Sequence, residues 1–226
     1  MGDDLIPRVE VNPATEPDAA VIWMHGLGAD GHDFEGLVPE LGLPAGHAVR
    51  FIFPHAPVRP VTVNGGMSMR AWYDILAMDI NREVDEVALE ESAGFITALI
   101  DAEIKRGISS RRILLAGFSQ GGAIALHTAL AYPEPLAGVL ALSTYLGIPA
   151  QAAEGHAGNR AVPIFMAHGS ADPVVPFSLG ERSRALLEAQ GYAIDWRSYP
   201  GMQHALCPEE IEDIATWLRA RFGLET

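Results

Sequence analysis

The chain has 226 residues, 49% hydrophobic and 19% charged, which excludes a disordered protein and is enough for one domain with a sizeable core. Fifteen Lys and Arg against 29 Asp and Glu give a net charge of −14, which argues against nucleic acid and anionic membrane surfaces as partners. One cysteine, Cys207, permits no intrachain disulfide and suits a reducing compartment. Met1 to Pro7 is acidic and lacks the apolar core of a signal peptide. No apolar run nears the roughly 20 residues needed to span a bilayer, so the cytoplasm is the expected location.

Residues 1–18 read as an irregular lead-in, with an edge strand around Val9 to Val11. Ala20 to Met24 and Val49 to Phe53 are continuous apolar runs, the signal of strands buried on both faces. Asp33 to Leu41 between them suits one short helix. His55 to Asp74 has no clean period, and Pro57, Pro60, Gly65 and Gly66 make it a long loop; Met67, Met69, Trp72 and Tyr73 argue that it is ordered. Val84 to Arg106 is the strongest helix, with Leu89, Ala93, Ile96, Ile100 and Ile104 at three- and four-residue spacings and Gly107 as its stop.

Arg112 to Ala116 is a strand and Ala123 to Ala131 a helix. Strands follow at Leu136 to Ser143, Val162 to Ala167 and Ala193 to Tyr199, with helices at Leu179 to Gln190 and Pro208 to Arg221, the last with Pro in its first turn. Strands alternating with helices predict one α/β domain over 1–226: a mostly parallel sheet with helices on both faces. The segment Thr144 to Ala161, rich in Gly, Ala and Pro, is too short for a cap domain.

Gly117-Phe118-Ser119-Gln120-Gly121 is a G-x-S-x-G motif standing between a strand and a helix, the context of a nucleophile elbow. The pentapeptide alone is a weak signal, so the rest of the constellation decides. In hydrolases with this motif the chain order is serine, acid, histidine. Order leaves His156, His168 and His204 as bases. Asp172, just past the 162–167 strand, is the best-placed acid; Asp195 lies within a strand, and Glu134 and Glu154 lie in loops without that setting. With Asp172 as acid, only His204 remains as base.

His25-Gly26-Leu27-Gly28-Ala29-Asp30-Gly31 also matches G-x-G-x-x-G, but a dinucleotide site would need an acid near Arg50 to Pro54. The loop reads instead as an oxyanion loop, with the backbone N–H groups of Leu27 and Gln120 as donors. No metal-binding spacing is present, and neither metal nor cofactor is expected.

The chain resembles bacterial carboxylesterases related to acyl-protein thioesterases, in the phospholipase/carboxylesterase family of α/β-hydrolases. The residues that carry the resemblance are His25 to Asp30, Pro54 to Thr62, Trp72-Tyr73-Asp74-Ile75, Gly117 to Gly122 and Leu142-Ser143-Thr144-Tyr145. It implies Ser119, Asp172 and His204 as a triad, Leu27 and Gln120 as oxyanion donors, and Trp72 near the acyl pocket. It also implies cleavage of carboxylic or thioester bonds. Relatives commonly have Pro-Ser before this Trp; here the residues are Arg70 and Ala71.

The expected enzyme is a serine carboxylesterase for short- to medium-chain esters, working through an acyl-enzyme as a monomer or homodimer. The alternative is an acyl-protein thioesterase or lysophospholipase with the same triad; a non-catalytic binding protein on a hydrolase fold is the third reading. Met69, Tyr145, Met202 and Leu206 join Trp72 as candidates for the acyl pocket, Met202 and Leu206 fitting the core as well. An uncapped cleft predicts efficiency rising from acetate to butyrate or hexanoate.

Overall fold

The computed structural model describes residues 5–77 and 83–224. In chain order the elements are β1 (Arg8–Val11), β2 (Ala19–Met24), β3 (Val49–Pro54), β4 (Val58–Val61), β5 (Met67–Arg70), α1 (Glu86–Arg106), β6 (Ile113–Phe118), α2 (Gln120–Ala131) and β7 (Gly138–Leu142). They continue with α3 (Gln151–Glu154), β8 (Ile164–Gly169), α4 (Phe177–Ala189), β9 (Ile194–Tyr199) and α5 (Pro208–Phe222). Seven strands form the main sheet in the order β1-β3-β2-β6-β7-β8-β9. Only β1 runs antiparallel to its neighbour; the other pairs are parallel.

Successive side chains of β2 enter two different cores. Ala20, Ile22 and Met24 join the one beneath α1, α2 and α4, with Ile96, Ile124 and Leu187; Ala19, Val21 and Trp23 join the one beneath α5, with Ile214, Leu218 and Phe222. All of β2 is therefore buried, which is why the central strands read as unbroken apolar runs. Parallel strands deliver all their following loops to one edge, so the loops after β2, β6, β8 and β9 converge at the carboxyl ends of the strands.

Three expectations change. The 55–74 stretch is not one loop: β4 and β5 pair antiparallel, Val61 opposite Met67, around a 3₁₀ turn at Thr62–Asn64. The hairpin leaves Val58 and Met67 exposed, so its sequence never acquires the alternation of a half-buried strand. The helix expected at 33–41 is a 3₁₀ segment, Glu35–Leu41, with Pro39 inside it; proline cannot donate the backbone bond an α-helix needs there. The long helix starts at Glu86 rather than Val84, because Asp85 caps it by accepting the Ala88 N–H at 3.0 Å.

Glu210, in the first turn of α5, is fully buried. Burial pushes its carboxyl up to about 8, a backbone contact at Cys207 pulls the other way, and Asp213 adds to the rise. The folded state then holds more protons than the unfolded one between about pH 4.5 and about 8, so stability declines as pH rises through that window. Glu210→Gln is expected to raise Tm at pH 8 and to change it little at pH 5, by thermal melts at both values. Each tenfold change in proton affinity corresponds to about 1.4 kcal/mol, and that conversion bounds the gain. An equal Tm change at the two pH values would contradict this.

Candidate active site

Ser119 occupies the turn between β6 and α2 with φ 56° and ψ −120°, a conformation rarely adopted by side-chain-bearing residues. The turn is held by the Ser119 N–H on Leu142 O (2.9 Å) and by the Thr144 hydroxyl on Ser119 O (2.6 Å). It also needs its glycines. A Cβ on Gly117 would stand 2.2 Å from the Gly121 carbonyl carbon, and one on Gly121 would stand 2.3 Å from Met24 O.

Asp172 follows β8 and His204 follows β9. His204 Nδ1–H donates to Asp172 Oδ2 at 2.7 Å; an ionised carboxylate only accepts, which sets this tautomer. Asp172 Oδ1 accepts the N–H groups of Val174 (2.8 Å) and Val175 (2.9 Å). Burial pushes the Asp172 carboxyl up, but His204 and these two N–H groups outweigh it, and the group lies below the usual carboxylate range. The Phe118 ring packs 4.6 Å from His204 and sets the imidazole plane beside the elbow.

The alternatives lie elsewhere. Asp195 is within β9, opposite Phe165 and 3.2 Å from Arg197. His156 accepts the Gly158 N–H in a 3₁₀ turn. His168 is buried under Asp172, with Nε2 2.9 Å from Val175 O and 3.5 Å from Asp172 Oδ2. Burial lowers the pKa of His168, leaving a neutral ring that supports the loop holding Asp172. Burial also raises the Cys207 thiol, so it stays protonated near His204.

Leu27 and Gln120 border the same cleft as Ser119. The Gln120 N–H heads α2, one of the donors a helix leaves without an internal partner. The Leu27 loop is held from below by His25, whose Nδ1–H donates to Gly26 O (2.7 Å) and whose Nε2 accepts the Ala56 N–H (3.1 Å). Burial pushes the His25 pKa down to about 4, so both bonds survive through neutral pH.

Trp72 is a brace rather than a pocket wall. It is fully buried; its indole N–H donates to His25 O (2.9 Å) and its backbone N–H to Gln120 Oε1 (3.0 Å), and Ser92 Oγ bonds its carbonyl. Gln120 Nε2 in turn donates to Tyr73 O at 2.7 Å. A buried indole N–H usually finds an acceptor, and here that bond, with the one to Gln120, joins the His25 loop to the head of α2. The sequence offered His25 and Gln120 only as motif positions; their buried, bonded side chains are what tertiary contact adds.

The cleft has a volume of about 320 Å³ and a mainly apolar lining. Of the expected acyl-pocket residues, Tyr145 lines it, with its hydroxyl 2.9 Å from that of Tyr73. Met69 sits in the hairpin, its sulfur bonded by Asn64 Nδ2 at 3.3 Å, while Met202 and Leu206 pack on the core under α5. The lining is supplied instead by Val63, Ile75, Phe118 and Val174, with Asp33 the acid among them. Phe118 could have been read from its place inside G-x-S-x-G and Ile75 from the Trp72 to Ile75 motif; Val63 has no sequence signal, because the turn between β4 and β5 brings it in, its N–H on Ile75 O at 3.3 Å.

A mostly parallel sheet covered by helices, with a strained serine turn at its carboxyl edge, defines an α/β-hydrolase fold and a serine hydrolase. The phospholipase/carboxylesterase family model matches residues 7–221, and the chain belongs to that family. It is 42% identical to acyl-protein thioesterase 1 of Neurospora crassa, over 96% of this chain and 90% of that one. It is 38% identical to acyl-protein thioesterase 1 of Cryptococcus neoformans, over 94% and 96%. The crystal structure of Zea mays acyl-protein thioesterase 2 superposes with a TM-score of 0.85 at 28% identity, covering 96% of this chain and 100% of that one. The narrower likeness to bacterial enzymes draws no support from these fungal and plant relatives. Among the described residues no helix is long and apolar enough to cross a membrane.

Proposed function

We propose that this protein is a thioesterase of the acyl-protein thioesterase type. The observation that carries the chemistry is His204, bonded to Asp172 at 2.7 Å, bordering one apolar cleft with the strained Ser119. Ser119 Oγ attacks the acyl carbonyl carbon while His204 Nε2 takes its proton. The Leu27 and Gln120 N–H groups stabilise the oxyanion. Collapse breaks the carbon–sulfur bond, and His204 gives the proton to the departing thiol. Water, deprotonated by His204, then cleaves the acyl-enzyme to the carboxylic acid and restores Ser119.

The names of the two fungal relatives favour a thioester substrate. Apolar surface also continues past the cleft: Val174 is 41% exposed and Leu76, beside Ile75, is 46% exposed. The second reading, a short- to medium-chain esterase, is favoured by the lack of a cap. Among the described residues, segment 144–161 carries only α3 and a 3₁₀ turn, packed on α2 and α4.

The two readings separate in kcat/KM measured on matched thioesters and oxyesters from acetyl to palmitoyl. Each buried methylene contributes up to about 0.8 kcal/mol. The thioesterase reading expects efficiency to keep rising past hexanoyl, with thioesters ahead of oxyesters. A maximum at butyrate or hexanoate on oxyesters would transfer the assignment to the esterase.

A further inference from the structure

The two walls of the cleft come from opposite faces of the sheet. Val63, Ile75 and Tyr145 belong with the core under α1 and α2, whereas Phe118 packs on the core under α5. His204 stands on the second wall, 4.6 Å from the Phe118 ring, and Phe118 lies 5.9 Å from Phe34. Asp33 lines the cleft too, and its chain connection to Phe34, whose ring packs on Phe118, puts it beside this wall. In acyl transfer the base returns its proton to the leaving group. The leaving atom must therefore lie against the His204 wall, and the acyl chain against the other.

Asp33 is thus a carboxylate on the leaving-group side. Its backbone N–H donates to Asp30 O at 3.1 Å, which fixes its place on the loop. Partial burial and the charge of Asp30 both push its carboxyl above the usual range. Among the described residues, neither Lys nor Arg lines the cleft.

We infer that Asp33 is a specificity residue that selects leaving groups carrying a positive charge, such as a thiol or alcohol on a basic peptide, and rejects anionic ones such as a phosphate-bearing thiol. The inference rests on the acyl-transfer reading above. A lone carboxylate beside an apolar wall attracts a nearby cation and repels an anion, and the open cleft keeps the effect to a factor of about three to ten.

Three thioesters sharing one octanoyl group test it: S-octanoylthiocholine (cationic), S-octanoylmercaptoethanol (neutral) and S-octanoyl-3-mercaptopropionate (anionic). Differences in intrinsic thiol reactivity cancel when the wild-type ratio of cationic to anionic kcat/KM is divided by that of Asp33→Asn. That quotient is expected to be about three to ten. Raising salt to about 0.5 M should shrink the wild-type ratio, because screening acts on the charge itself; this arm needs no variant. Glu16→Gln removes the same charge before β2, at the opposite end of the sheet, and should keep the wild-type ratio. A quotient of one, a salt-independent ratio, or an equal loss in Glu16→Gln would overturn the inference while leaving acyl transfer standing. Failure of the wild-type protein to cleave any of the three would remove the acyl-transfer reading, and this inference with it.

Discussion

Replacing Ser119 with alanine is expected to lower kcat by several orders of magnitude, on the order of 10⁶ by comparison with triad serines in other hydrolases. The residual rate should reflect only binding and the oxyanion donors. The reason is local: Ser119 is the residue forced to φ 56° at the end of β6, and it borders the cleft together with His204, Leu27 and Gln120. Alanine keeps the Cβ already present at that strained position, so the fold should persist; a thermal melt beside the ester assay checks this. Turnover within tenfold of the wild type in a folded Ser119→Ala protein would discard the mechanism.

The second large effect is expected from Asp172→Asn, with kcat reduced by about 10⁴. Asn can present its amide N–H to His204 Nδ1 and so favour the wrong tautomer, the one with the proton on Nε2. Asp195→Asn should stay within about twofold, since its change is confined to a β9 carboxylate beside Arg197, as for ordinary surface substitutions. The reverse ranking would move the acid assignment. The pH dependence has a definite sign. The Asp172 carboxyl is held below the usual range, so its interaction with His204 is present above that range and is lost only as pH falls through the lowered value. Asp172 therefore stays ionised between pH 8 and 5, and its own protonation causes no loss of activity in that interval.

Much of this was legible in the residues. Strands buried on both faces must be apolar at every position, so β2, β3, β6, β7 and β8 announced themselves as unbroken runs. A serine turn between a strand and a helix demands small residues at fixed offsets, and Gly117 and Gly121 stand there. The chain order of hydrolase triads then favoured Asp172 and His204 over Asp195, His156 and His168; the fold sets His204 Nδ1 2.7 Å from Asp172 Oδ2.

Other features needed the folded molecule. The β4–β5 hairpin is short, broken by Pro60 and exposed at Val58 and Met67, so nothing periodic marked it. Trp72 could equally have been pocket or core on apolarity alone; its position was decided by a buried indole N–H that had to meet His25 O. Asp33 offered no signal, because a carboxylate in a polar loop usually faces only water. The amino-acid order was sufficient for the sheet and the candidate triad, since burial and chain order act locally along each strand and loop. Which side chains wall the cleft depended on segments as distant as Asp33, Val63 and Val174 arriving at one edge, a matter of tertiary contact that no local pattern encodes.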